Sequence, residues 1–237
     1  MQAVLFDLDG TLLDLDLDAF LARYFTALVH ALAPLGDASG KPDGMLEALH
    51  RSTRAMMGEH PGLTNREVFH AEFATLTGID LDRQWSVFDR FYGEVFPTLA
   101  DTAGPVAGGR EVVETALHLG YRVAIATNPI FPRAAVEHRL AWAGLADVEV
   151  ALVTTYEDMT ACKPQPDYYR QVSRMLGVAP SACLMVGDDH VLDMAAADVG
   201  MSTYYVGSRA GVPAHMSGDL IELADLLPRL SDQGALG

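Results

Sequence analysis

Short and nearly continuous apolar runs recur along the chain at Ala3–Phe6, Val123–Ala126, Val148–Val153, Cys183–Val186 and Thr203–Val206. Unbroken runs, rather than strict alternation, suit strands covered on both faces, so they predict parallel strands. Helical periodicity occupies Arg110–Leu119, Arg133–Ala143, Asp167–Leu176 and Val191–Val199. Strands alternating with helices predict an α/β fold: an open, mainly parallel, Rossmann-like sheet with helices on both faces.

One interval breaks the rhythm. About 115 residues separate the first run from the second, far more than a crossover requires. Phe20, Leu21, Tyr24, Phe25, Leu28, Val29 and Leu32 make one helical stripe there, and Trp85, Phe88, Phe91, Tyr92, Val95 and Phe96 another. Thr64 and Glu67 have capping-box spacing ahead of a third helix. The interval predicts an inserted all-helical domain over 15–104, with 1–14 and 105–237 forming the α/β core. Leu13–Asp18 and Pro97–Gly109 would be its hinges. Ser231–Gly237 is expected to fray.

Composition narrows the classes of partner. The 237 residues carry 16 basic and 32 acidic side chains, a formal charge of −16. That balance disfavours nucleic acid and anionic membrane surfaces. The chain enters its first apolar run without a basic leader, and no run approaches the ~20 apolar residues of a membrane helix. A cytoplasmic location is the expectation. Cys162 and Cys183 are the only cysteines, the second in an apolar run and the first expected to be partly exposed, with no disulfide between them.

Candidate chemistry sits where the apolar runs end. Asp7 and Asp9 follow the first run two positions apart, hence on the same side of the chain, and Gly10 allows a sharp departure. Thr127 and Asn128 follow the second run and offer uncharged donors to an oxyanion. Lys163, one of only two lysines against fourteen arginines, stands in a proline-stiffened loop. Gly187, Asp188, Asp189 and Asp193 follow the fourth run, with Asp189 or Asp193 the candidate helix cap. In an open α/β sheet these ends share one crevice. Five carboxylates there require positive charge, which Mg²⁺ and Lys163 would supply.

Other groups carry less. Asp14, Asp16 and Asp18 imitate the start of a calcium loop, but Ala19 stands where glycine is needed and Phe25 where glutamate is needed. His50, His60 and His70 are not spaced as a metal set and are expected at the surface. Lys41, Arg51 and Arg54 are basic residues of the insert within reach of an anionic substrate group, with a plain surface position as the alternative.

The order Asp-x-Asp-Gly-Thr, Thr-Asn, Lys-Pro, Gly-Asp-Asp-x-x-x-Asp resembles the four motifs of the haloacid dehalogenase-like superfamily, and the insert resembles its helical type-1 cap. The resemblance covers the α/β core, roughly 1–12 and 106–207. It implies a Mg²⁺-dependent phosphatase acting on a small phosphorylated metabolite through an aspartyl-phosphate. Asp7 would be the nucleophile and Asp9 the general acid/base. Asp7, the main-chain carbonyl of Asp9 and Asp188 would hold Mg²⁺. Thr127, Asn128 and Lys163 would grip the phosphoryl oxygens. Asp193 would orient the metal waters or Lys163, with Asp189 sharing that task. A sugar phosphomutase of the same superfamily and a non-catalytic regulatory protein on this scaffold are the competing readings. A dehalogenase or phosphonatase is disfavoured by Asp9. The sequence leaves the oligomeric state open.

Overall fold

The computed structural model describes residues 1–36 and 42–234. Eight strands are present among them: β1 Ala3–Phe6, β2 Leu13–Leu15, β3 Ala103–Pro105, β4 Arg122–Ile125, β5 Leu152–Val153, β6 Cys183–Gly187, β7 Ser202–Val206 and β8 Met216–Gly218. Six of them form one sheet in the order β5-β4-β1-β6-β7-β8, and every pairing in it is parallel. The chain leaves β1, returns as β4 on one side and later as β6 on the other. The carboxyl end of β1 is therefore a switch point, where a crevice opens.

Both faces of the sheet are covered. Val4 and Phe6 of β1 point into one apolar layer and Ala3 and Leu5 into the other. The first layer includes Val112, Val113 and Ala116 of α5 (Gly109–His118) and Ala135 and Val136 of α6 (Arg133–Trp142). The second includes Tyr168, Tyr169, Val172 and Leu176 of α7 (Pro166–Leu176). That double burial explains why the strand sequences run apolar without alternation.

Four helices fill the long interval, α1 Leu17–Leu32, α2 Pro42–Met56, α3 Asn65–Thr77 and α4 Trp85–Arg90. Asp16 caps α1 by accepting from Ala19 N at 3.0 Å, with Asp18 in the first turn, while Asp14 lies in β2. The Thr64–Glu67 capping box forms at α3. The aromatic stripe after Trp85 is not one helix: α4 loosens into a wide π turn over Phe91–Val95 and tightens into 3₁₀ turns over Phe96–Thr102. Aromatic contacts tie this interval to the core, with Tyr24 5.2 Å from Phe131 and Phe96 stacked 5.4 Å from Trp142.

Several expectations need correction. No strand was read in the interval, yet β2 and β3 pair antiparallel at its two ends. The run Val148–Val153 contributes only Leu152 and Val153, because β5 is an edge strand paired over two residues of β4. Val191–Val199 is helical only as a 3₁₀ stretch, Met194–Val199. Helix α8, Leu220–Gly234, includes the first four residues of the segment expected to fray, and residues 235–237 lie outside the described residues. Cys162 is fully buried, while both cysteines are free as expected. His70 is no surface histidine: its side chain is 11 % exposed and packs between Trp85 and Tyr156. Among the described residues no helix is long and apolar enough to cross a membrane.

Candidate active site

Strand β1 ends at Phe6, so Asp7 is the first residue past the sheet and projects into the crevice, its N–H still donating to Val186 O at 2.9 Å. Lys163 arrives from the loop after β5, behind a cis Lys163–Pro164 bond, and is 2 % exposed. Its ammonium donates to Asp7 Oδ1 at 2.7 Å and to Asp193 Oδ1 at 2.6 Å, and lies 5.9 Å from the centroid of the Tyr168 ring. Burial alone would lower the Lys163 pKa, but Asp193 and Asp7 together raise it well above its ordinary value. The lysine is a fixed cation.

Strand β6 ends at Gly187 and delivers Asp188. Asp188 accepts from the Thr11 hydroxyl at 2.9 Å. Burial, then the nearby Asp7 charge, pushes its carboxyl up to about 6. Gly10 lies against it at φ +85°, and a Cβ there would collide with the Asp188 carboxylate. A side chain at Gly187 would collide in the same way with Asp193. Both glycines are the clearance that lets carboxylates from two strand ends crowd together.

Asp7, Asp188 and Asp193 each offer one carboxylate oxygen within 4.8 Å of the others. Three hard oxygen donors around a cradle kept open by two glycines fit a small divalent cation such as Mg²⁺. Asp193 is simultaneously bonded to Lys163 and accepts the Asp189 N–H at 3.0 Å, which fixes it as the anchor of the lysine. Asp189 turns the other way and caps the following turn by accepting from Val191 N and Leu192 N at 2.7 and 2.9 Å.

Strand β4 delivers Thr127 and Asn128, both lining the same crevice. The Thr127 carbonyl is held by the hydroxyls of Thr154 at 2.7 Å and Tyr168 at 3.0 Å, while Asn128 Oδ1 accepts from Lys163 N at 3.2 Å. These bonds lock the β4 loop to the lysine loop. A further clamp comes from α3, where buried Asn65 donates to Pro129 O at 2.9 Å and to Cys162 Sγ at 3.3 Å.

Asp9 lines the crevice, but its side chain is not among the clustered carboxylates. It accepts from Arg139 Nη1 of α6, a guanidinium with no exposed surface that sits 4.3 Å from the Phe131 ring centroid. Asp9 Oδ1 and Arg139 Nη2 are buried with no hydrogen-bond partner among the described residues. Burial raises the Asp9 pKa, outweighing Arg139, which lowers it. The sequence reading missed Arg139. Its signal was positional: it falls three residues after Val136 and four after Ala135, on the apolar face of α6.

The basic residues of the insert separate in space. Arg51 pairs with Glu72 at 3.2 Å on the surface, whereas Arg54 borders a large cavity among the insert helices. Lys41 lies outside the described residues. His60 turns both ring nitrogens to the carbonyls of Leu63 and Met56.

Residues 1–199 match the haloacid dehalogenase-like hydrolase family, and the chain belongs to it. It is 30 % identical to a plasmid-borne phosphoglycolate phosphatase of Cupriavidus necator, over 96 % of this chain and 92 % of that protein. It is 25 % identical to the pyrophosphatase PpaX of Bacillus cereus, over 98 % and 97 %. Its fold resembles the crystal structure of a phosphatase of this family from Thermococcus onnurineus, with a TM-score of 0.58, 24 % identity, and 96 % and 98 % of the two chains covered.

Proposed function

We propose that the chain is a Mg²⁺-dependent phosphoric monoester hydrolase that uses Asp7 as its nucleophile. The observation that carries this reading is the buried Lys163 ammonium shared between Asp7 and Asp193, with Asp188 beside them. The phosphatase relatives support it from a second side.

Asp7, Asp188 and the main-chain carbonyl of Asp9 would hold Mg²⁺. When bound, the ion offsets carboxylate repulsion and polarises the phosphoryl oxygens. A carboxylate oxygen of Asp7 attacks phosphorus as the bond to the leaving oxygen breaks. Lys163 neutralises charge gathering on the phosphoryl oxygens, and Thr127 and Asn128 donate hydrogen bonds to them. Asp9, biased toward its protonated form by burial, gives its proton to the departing oxygen. It then takes one from the water that cleaves the aspartyl-phosphate, returning Asp7. Residues 15–104 act as a cap over this crevice, with the β2–β3 ribbon at the join.

Hydrolysis of an aryl phosphate, followed by phosphate release, tests the reading. Activity should require Mg²⁺, disappear with a chelator and be lost in Asp7→Asn. Isomerisation of a sugar phosphate without release would favour the mutase instead.

A further inference from the structure

A second cavity of about 690 Å³ lies among α1, α2, α3 and α4, beside the smaller one of about 190 Å³ that holds Asp7 and Lys163. The two adjoin at Leu21, Ile130 and Phe131, which line both, so a molecule bound by its phosphoryl group at Asp7 meets apolar side chains on the side of the larger cavity. The large cavity falls within the roughly 300–1,000 Å³ of pockets that bury drug-sized ligands.

Its lining is predominantly apolar. Leu28, Leu49 and Phe88 supply buried apolar surface. The hydroxyls of Tyr24 and Tyr92 share one hydrogen bond at 2.9 Å, so a single O–H of the pair is left over. The charged residues lining it, Asp18 and Arg54, are exposed, and Arg54 is the one Lys or Arg on its wall among the described residues. The polar side chains on its wall, among them Thr26, His50, Thr53 and Tyr156, are outnumbered by apolar ones, so a polyhydroxylated body would leave most of its hydroxyls unpaired, and among the described residues Arg54 alone would meet a second phosphate or a carboxylate there.

Building on the phosphatase reading, we infer that the substrate is a phosphate monoester of an apolar alcohol, whose hydrocarbon body fills this cavity while its phosphoryl group sits at Asp7. Phosphoglycolate and pyrophosphate, named for the relatives, lack such a body. The walls of this chain select against them.

Straight-chain alkyl phosphates test the inference, because beyond ethyl the leaving group's basicity stays nearly constant while its length grows. With Mg²⁺ present, kcat/KM should rise roughly two- to fourfold per added methylene from ethyl to hexyl phosphate. Phosphoglycolate should be at least about tenfold poorer than hexyl phosphate. Leu46→Glu, at a 38 % exposed position on the cavity wall of α2, should flatten the rise with chain length. Calorimetric binding of the same series to Asp7→Asn protein keeps the two readings apart. Affinity that grows with chain length supports the pocket even where no ester is hydrolysed, a result that would sink the hydrolase reading alone. Affinity and kcat/KM both independent of length, with phosphoglycolate preferred, would overturn the pocket while leaving the hydrolase standing.

Discussion

Arg139 Nη1 donates to Asp9 Oδ2 from a position with no solvent exposure, joining residues 130 apart in the chain. The pair holds the Asp9 side chain outside the Asp7–Asp188–Asp193 cluster but still on the wall of the same crevice. Arg139 also rests on Phe131, which forms part of the apolar wall shared by the two cavities. The proposed acid/base and that wall therefore lean on one buried guanidinium.

Replacing Arg139 by Met removes the cation that opposes the rise in the Asp9 pKa. Asp9 should then keep its proton to higher pH, so the alkaline limb of the kcat profile moves upward. Stability should fall by about 3 kcal/mol in a urea titration, softened by protonation of Asp9. An unchanged pH profile would mean that Arg139 serves the fold alone.

Lys163 poses a sharper case, since its ammonium is shared by two carboxylates in a buried site. Lys163→Met should cost on the order of 3–5 kcal/mol without divalent ions, by leaving Asp7 and Asp193 facing each other. Turnover should drop at least about 100-fold. Lys163→Arg should fail to restore it, because a planar fork cannot replace a compact ammonium between oxygens 2.6 and 2.7 Å away.

The raised Asp188 carboxyl links proton and metal. Folded Asp188 keeps its proton from its ordinary value of 3.8 up to about 6, a window in which the unfolded group has already lost it. There the folded state binds more protons, so this group's contribution to stability declines as pH rises. Mg²⁺ needs the ionised form. Its increase in Tm should be small near pH 5 and reach a plateau above about pH 7, as thermal melts with and without the ion will read. A Mg²⁺ shift independent of pH would contradict this linkage.

Gly10→Ala combines a strained φ of +85° with a collision against Asp188. The variant should lose at least about 1 kcal/mol of stability and bind Mg²⁺ more weakly by calorimetry. Unaltered Mg²⁺ affinity would show that the collision relaxes elsewhere.

What the sequence disclosed followed from local grammar. Apolar runs ending in Asp7, Thr127 and Asp188 announced the crevice because parallel strands in an open sheet deliver their carboxyl ends to one edge. Lys163 stood out because lysine is so rare here. Long-range partners left no such trace. Nothing near Asp9 names Arg139, and the burial of Cys162 depends on a clamp from Asn65, 97 residues earlier. Val191–Val199 is helical only over Met194–Val199 and only as a 3₁₀ stretch, after a turn capped by Asp189, and an apolar spacing of three to four residues does not tell that form from an α-helix. The apolar cavity was invisible for another reason: its volume depends on how the insert helices splay, whereas the stripes beginning at Phe20 and Trp85 reported only which side is buried.

Peptide mapping of protein quenched during turnover of an alkyl phosphate asks where phosphorus resides in mid-reaction. One phosphoryl group on the peptide carrying Asp7, absent without Mg²⁺ and absent in Asp7→Asn, is the expected result. Phosphoryl transfer to any other residue, or Asp7→Asn protein keeping more than about a tenth of parental turnover, would contradict Asp7 as the nucleophile.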